Sequence, residues 1–253
     1  MSFKDHFSKQ ATDYAKYRPN YPEALFAYLA SLVPEHELAW DCGTGNGQTA
    51  CSLAPHFEKV IATDPSVKQI ANARPHEKIT YRVAPAEQTD IVSHSVDLIT
   101  VAQALHWFDF EKFYTEAARA RKPNGVLAAW CYKLLECEPR VDAILHEFYS
   151  DIVGPYWPPE RKLLENNYRD IPFPLQQIDV PRFHMETHWN LQDLIGYLGT
   201  WSSTQKFIAQ HGDDPRQQIR ERLANAWGEE ASTKPIKWPL HLKVGNQKKR
   251  LKL

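Results

Sequence analysis

The stretch "WDCGTGNGQTA", residues 40–50, sets three glycines into five positions directly behind an acid. Glycine weakens the interior of a helix or strand. Gly43, Gly45 and Gly47 therefore mark backbone that must turn tightly or come close to something. "LAWDCG" (38–43) reads as a short strand and "GQTACSLAPHF" (47–57) as a helix. Gly43 can supply the sharp turn between them. Gly45 and Gly47 can let backbone approach a ligand without a Cβ in the way. The helix that follows begins with N–H groups suited to polar or anionic partners. A plain tight turn would use the same glycines, so the loop alone leaves both readings open.

Spacing separates the cofactors. The dinucleotide pattern G-x-G-x-x-G, counted from Gly43, needs glycine at 48, but that residue is Gln48 and the third glycine arrives at 47. The Lys–Ser/Thr pair of a P-loop is missing. A pyrophosphate or triphosphate cradle, and with it a nicotinamide dehydrogenase, is disfavoured. A second acid, Asp64, ends the next strand 21 residues after Gly43 (64 − 43). An acid there can accept hydrogen bonds from both ribose hydroxyls, or act as a helix N-terminal charge ahead of Ser66. In "APAEQTD" (84–90), Glu87 or the backbone beside it could meet an adenine edge, or be a solvated loop acid.

Outward from the loop, strand and helix patterns alternate. A helix is expected over 21–33, strands over 59–64, 79–84 and 95–105, and helices over 66–73 and 110–122. A further strand covers 125–133, after a stop at Pro123, Asn124 and Gly125. That alternation predicts right-handed βαβ units and a parallel sheet covered on both faces, with ligands at the carboxyl ends of its strands. The second half is less regular. Residues 176–189 and 236–246 are expected to supply late strands, and 134–175 and 190–228 to form helical insertions over the sheet. The whole, 1–253, reads as one domain with a core near 34–133.

The 253 residues are 43% hydrophobic, enough for one substantial core. A formal net charge of −1 leaves no global field to recruit nucleic acid or an anionic membrane. "MSFKDHFSK" lacks the apolar stretch of a signal peptide, and no apolar run is long enough to span a membrane. Four cysteines form no C-x-x-C and suggest no zinc site, so no metal is expected. A cytoplasmic protein with reduced thiols is the expectation. Several of the eight tryptophans fall in predicted loops, where core packing alone does not explain them. The basic tail "NQKKRLKL" reads as a solvated terminus.

D-x-G-x-G-x-G at 41–47, the acid in "ATDPS" at 64 and the "PAE" turn at 85–87 resemble the class I S-adenosylmethionine-dependent methyltransferases. "VDLITVAQALHWFD" (96–109) and "ARKPNGVLAAW" (120–130) are similar to that family's fourth- and fifth-strand segments. "FSKQATDYAKYRPNYP" (7–22) and "QALHWFD" (103–109) resemble its small-molecule branch, which includes trans-aconitate methyltransferase-like proteins. The resemblance implies an α/β, Rossmann-like fold with a mostly parallel seven-stranded sheet, helices on both faces and a helical lid insertion. It implies S-adenosyl-L-methionine as cofactor and S-adenosyl-L-homocysteine as product. Gly43, Thr44, Gly45 and Gly47 would pass under the amino-acid and ribose parts. Asp41 would help hold the methionine ammonium, directly or through water, and Asp64 with Pro65 the ribose. Ala86 and Glu87 would border adenine, Gln103 would lie near the methionine portion, and Tyr14 and Arg18 would close over the cofactor, Arg18 on the carboxylate.

Methyl transfer from a sulfonium expels a neutral thioether and needs no acid. Holding nucleophile, methyl and sulfur in line lowers much of the barrier. A carboxylate nucleophile needs no base, whereas a hydroxyl or amine must lose a proton. His106 could be that base, or a donor to a substrate carboxylate. Trp107 could shield the site or face the sulfonium. Tyr132, Trp157, His188 and Trp201 are weaker candidates from the lid region. "TVAQAL" lacks the Asn/Asp-Pro-Pro-aromatic motif of amino-directed enzymes, and no basic stripe or paired-glutamate loop is evident. A small-molecule substrate is expected, a carboxylic acid foremost, with hydroxyl or nitrogen methylation as the rival. Outside enzymes, the alternative is a cofactor-binding sensor or partner subunit.

Overall fold

In the computed structural model, which describes residues 19–247, the glycine loop leaves one of the inner strands of a seven-stranded sheet. Strands β1 (Leu38–Cys42), β2 (Lys59–Asp64), β3 (Ile79–Val83), β4 (Val96–Ala102) and β5 (Arg121–Cys131) pair in parallel. β9 (His241–Asn246) runs antiparallel to β5, and the short β6 (Gln176–Gln177) closes that edge. The order is β3-β2-β1-β4-β5-β9-β6.

The sheet's apolar residues alternate between its faces, as the period of a strand requires. Ala39, Leu98, Ala128 and Trp130 join Leu25 and Leu29 of α1 (Glu23–Ser31) and Ala50 and Leu53 of α2 (Gln48–Leu53) in one cluster. Trp40, Ile99, Leu127 and Ala129 join Phe113 and Ala117 of α4 (Phe110–Ala120) in the other. Ser66 caps α3 (Val67–Ala71) by accepting the Gln69 N–H. Both faces of β1 and β4 are buried, and all seven residues of β4 but the last are fully enclosed. That is why these strands read as near-continuous apolar runs.

The structure departs from the sequence reading in four places. α4 ends at Ala120 and β5 begins at once. Pro123, Asn124 and Gly125 are a bulge within the strand, where the register against β4 shifts between Val96 and Leu98. Residues 236–244 form two strands, because Pro239 has no N–H to continue a ladder. β8 (Lys234–Pro239) pairs with β7 (His184–Trp189) in a separate two-stranded sheet, and only β9 joins the main sheet. Of 176–189, only Gln176 and Gln177 reach the main sheet, the chain passing through Pro181 before β7.

The tryptophans are the fourth departure. Trp40, Trp130, Trp189, Trp201, Trp227 and Trp238 are all buried, so packing accounts for six of the eight. Trp107 and Trp157 are half-buried.

The inserted helices share the core of the sheet. Val141 and Leu145 of α5 (Pro139–Glu147), Leu194 and Leu198 of α7 (Leu191–Gly199) and Ile219 and Leu223 of α8 (Gln217–Trp227) belong to the α1–α2 cluster. Leu164 of α6 (Arg161–Glu165), Tyr168 and Ile171 cross to the α4 cluster. No helix among the described residues is long and apolar enough to cross a membrane.

β1 is fixed at its start by Asp97. One carboxylate oxygen accepts the N–H groups of Glu37 (3.0 Å) and Leu38 (2.9 Å), and the other meets Lys122 Nζ at 2.9 Å. Asp97 is 2% exposed. Asp97→Ala is expected to destabilise the fold by about 3 kcal/mol in urea unfolding, the scale of a buried ion pair broken on one side. A loss within error of zero would show that Asp97 does not set the strand.

Candidate active site

Strand order reverses between β1 and β4, and the loops leaving their carboxyl ends, 43–47 and 103–107, border the crevice where such sheets take ligands. The three glycines there all have left-handed backbone, with φ of 72°, 57° and 86°. Their surroundings differ. A Cβ on Gly43 would lie 2.7 Å from the Ala104 Cβ, and one on Gly47 would overlap the Tyr81 hydroxyl. A Cβ on Gly45 would meet no atom within 4 Å. Gly43 and Gly47 are thus demanded by the chain's own packing, and Gly45 alone borders open space. Gly47 was expected to approach a ligand; its close neighbour is Tyr81.

Two acids hold the loop from beneath. Asp41 is fully buried, its Oδ2 accepting from Thr44 Oγ1 at 2.5 Å and its Oδ1 from Thr100 Oγ1 at 2.9 Å. Burial raises its carboxyl to about 6, against the lowering effect of the two hydroxyls and the Ala50 N–H, with Asp64 adding to the rise. Asp64 accepts the Gly45 N–H (2.9 Å) on one oxygen and the Ser66 N–H (2.9 Å) on the other, with the half-buried Pro65 turning the chain between. Asp41 therefore faces the loop's interior, and Asp64 stands at its rim beside Gly45.

On the β3 side, Ala86 is buried among apolar neighbours. Glu87 accepts the Asp109 N–H at 2.9 Å, tying its loop to the start of α4. On the β5 side, Gln103 has φ 54°, a conformation uncommon for a residue with a Cβ. Its backbone N–H reaches Trp130 O, and its side-chain amide exchanges two hydrogen bonds with the backbone of Tyr132, at 2.9 and 3.1 Å. The side chain extends the β4–β5 ladder past its end.

His106 and Trp107 lie in the 3₁₀ turn Leu105–Trp107, their rings 4.7 Å apart. His106 is 6% exposed, and its Nδ1 is 2.9 Å from the hydroxyl of Tyr168, which is wholly buried. Burial lowers the imidazole to about 3, with the Arg161 charge assisting. Burial likewise keeps the Tyr168 hydroxyl protonated, and the backbone N–H groups of His106 and Leu105 lie toward its oxygen. The hydroxyl proton is then directed to Nδ1, which leaves the imidazole proton on Nε2. Tyr168 and Asn167 are consecutive left-handed residues, φ 59° and 55°. Strained backbone of this kind persists only where the surroundings enforce it.

Tyr14 and Arg18 lie outside the described residues. Trp157 and Trp201 come together, centroids 5.6 Å apart, while His188 is exposed on β7 away from them. Tyr168 and Arg161 were not anticipated. They sit in an irregular insertion, and only Asn167, a residue that tolerates left-handed backbone, hinted at a special turn there. Among the described residues no group of His, Cys, Asp and Glu is arranged to hold a metal ion.

The glycines predict opposite outcomes. Gly45→Val is expected to fold, destabilised by about 1–2 kcal/mol through its left-handed backbone, and to lose S-adenosylhomocysteine binding in calorimetry. Gly43→Val is expected to lower the thermal midpoint further, through its clash with Ala104. Equal binding by Gly45→Val and wild type would mean that nothing docks over Gly45. A raised Asp41 pKa favours the folded state most below pH 3.8, a benefit lost as pH climbs through about 6. Between pH 4 and 7 the wild type should lose about 3 kcal/mol of unfolding free energy relative to Asp41→Asn. Parallel pH profiles would show that Asp41 titrates normally.

Residues 40–129 match a family model described as a methyltransferase domain. A protein of Dictyostelium discoideum named as a methyltransferase is 38% identical over 229 residues, 89% of this chain and 87% of the relative. The solved structure of a protein described as a type II methyltransferase, from Anaeromyxobacter dehalogenans, shares a TM-score of 0.86 and 40% identity, covering 90% of this chain and 97% of that one. A Saccharomyces cerevisiae protein named as an S-adenosylmethionine-dependent methyltransferase is 28% identical over 132 residues, so that the match spans 49% of this chain and 45% of that relative. With the glycine loop, its two acids and the sheet order already in hand, the chain belongs to the class I S-adenosylmethionine-dependent methyltransferases.

Proposed function

We propose that this methyltransferase esterifies a small carboxylic acid, with the inserted helices serving as its lid. The observation that carries the reading is the state of His106. An imidazole held near 3 with its Nδ1 engaged by Tyr168 is neutral from about pH 5 to about pH 8 and carries its proton on Nε2. It is a donor and a very weak base. A hydroxyl or amine nucleophile would have to lose its proton to some other group, whereas a carboxylate arrives charged and needs none.

S-adenosylmethionine supplies an electrophilic methyl on a sulfonium. The chain's own residues fit that cofactor. Gly45 leaves a cradle that a Cβ would fill, and the acids beneath and beside the loop suit its ammonium and ribose. In this reading Asp41 acts on the ammonium through the loop it pins. Asp64 with Pro65 takes the ribose, Ala86 and Glu87 border adenine, Gln103 flanks the methionine portion, and Tyr14 and Arg18 close over them. The half-buried Trp107 gives the sulfonium side an aromatic face. The Nε2–H of His106 orients the carboxylate, and the lid excludes water.

The test is transfer of labelled methyl to a panel of small acids, phenols and amines, each product then treated with mild alkali. Label released as methanol is expected. Alkali-stable label would give the rival, an ether or N-methyl product. Binding without transfer to any compound would favour a sensor. His106→Gln keeps a donor near the Nε2 position and should lower kcat/KM by about tenfold, the worth of one weakened hydrogen bond. A drop in the range of about 10²–10⁴-fold would instead mark a general base.

A further inference from the structure

We propose that Arg161 receives the acidic group of the substrate, and that the rings around it select a planar, conjugated or aromatic acid. This rests on the carboxylic-acid reading above and names the residue and substrate class behind it.

Arg161 opens α6, the short helix that packs on the Leu105–Trp107 turn carrying His106. Its guanidinium lies over the Trp157 ring, 4.2 Å from the centroid, and 5.4 Å from that of Tyr149. Its Nε donates to the Tyr149 hydroxyl at 2.9 Å. Trp157 is itself fixed, its indole N–H donating to Tyr149 O at 3.2 Å, and Trp201 backs both rings at 5.6 and 5.8 Å. The face and the Nε of the guanidinium are thus occupied. Its Nη1 and Nη2, the fork that matches a carboxylate, have no partner among the described residues.

The contrast with the rest of the chain is informative. Each other described arginine that is not exposed reaches a carboxylate or a carbonyl: Arg82 on Asp90, Arg119 on Glu116, Arg121 on Gly125 O, Arg216 on Asp214, Arg220 on Glu230. Glu165, one turn along α6, is exposed and makes no ion pair with Arg161. The guanidinium is partly compensated by the Trp157 face and by the Tyr149 hydroxyl, which Glu165 also bonds, but it has no direct ion pair, which an arriving anion would supply. Its charge adds to the burial that lowers His106 and opposes the burial that raises Tyr168, so it lies within electrostatic reach of both, on the helix that packs against the turn of His106. The rings beside the fork, Trp157 and Tyr149, offer flat apolar surface to the body that carries the acid.

The experiment titrates cinnamate and cinnamamide into the full chain saturated with S-adenosylhomocysteine, read by calorimetry and tryptophan fluorescence. The wild type should prefer the acid by about 30-fold, the worth of charged hydrogen bonds. Arg161→Met should erase that preference with S-adenosylhomocysteine affinity unchanged, and Arg161→Lys should keep part of it. Acid and amide binding alike, neither binding, or a preference that survives in Arg161→Met would each overturn the proposal. Should the methionine variant not fold, the lysine variant decides, full wild-type preference counting against the fork. In the methyl-transfer assay, alkali-stable label would remove the carboxylic-acid reading itself. Alkali-labile label with wild-type kcat/KM in Arg161→Met would remove Arg161 alone.

Discussion

A carboxylate sealed beneath the glycine loop organises the site. Asp41 gives up solvent entirely, and the cost shows in the rise of its pKa to about 6. In return it joins Thr44, in the loop, to Thr100, on β4, across the point where strand order reverses. The loop is therefore held against both central strands. Asp64 completes the clamp from β2 by taking the Gly45 N–H. Remove these bonds, and three left-handed residues with no Cβ would have little to keep them in one conformation, because glycine loses more freedom on ordering than any other residue. The acids of the motif serve shape first, and whatever they do toward a ligand depends on the loop they hold.

The same logic of a polar group spent on shape recurs on the other wall. Gln103 uses its amide to stitch the backbone of Tyr132, and Tyr168 uses its hydroxyl to decide which nitrogen of His106 carries the proton. Both Gln103 and Tyr168 sit in left-handed backbone, a local cost accepted where geometry must be definite. The result is an imidazole whose chemistry is narrowed to donation. A histidine just past the carboxyl end of β4 invites the role of base, and here burial and one hydrogen bond argue against it.

The first half of the chain was legible because two independent periodicities agree there. β1, β2 and β4 read as strands from buried apolar runs, and the glycine spacing fell at a strand's carboxyl end, where the fold puts a ligand. Ser66 declared its cap three residues ahead of Gln69. The errors came where one residue's chemistry outweighs a pattern. Pro123–Gly125 looked like a stop and is a bulge, because β4 holds the strand on both sides of it. Pro239 splits an apparently continuous strand between two sheets. The roles of Glu87 and Gln103 in bonding backbone were illegible, since a side chain's partner across the sheet leaves no trace in local spacing.

The insertions were least legible, and the reason is physical. Their helices bury apolar faces against the same cluster as α1 and α2, so their sequences report packing, and most of their tryptophans answer to that cluster. The proposed acid-binding feature stands partly outside that packing: Trp157 touches the cluster but stays half-buried, and Arg161 lies over its ring without a direct ion pair. Both lie in or next to "GPYWPPE", whose prolines and glycine deny it any period. Such a segment is free to present side chains where a helix could not, and it is anchored at one end by α5 and at the other by Tyr168 on His106. A substitution in that segment lies clear of the Asp41 loop so long as the Tyr168–His106 hydrogen bond is kept. That contact couples the inserted segment to the turn that carries His106.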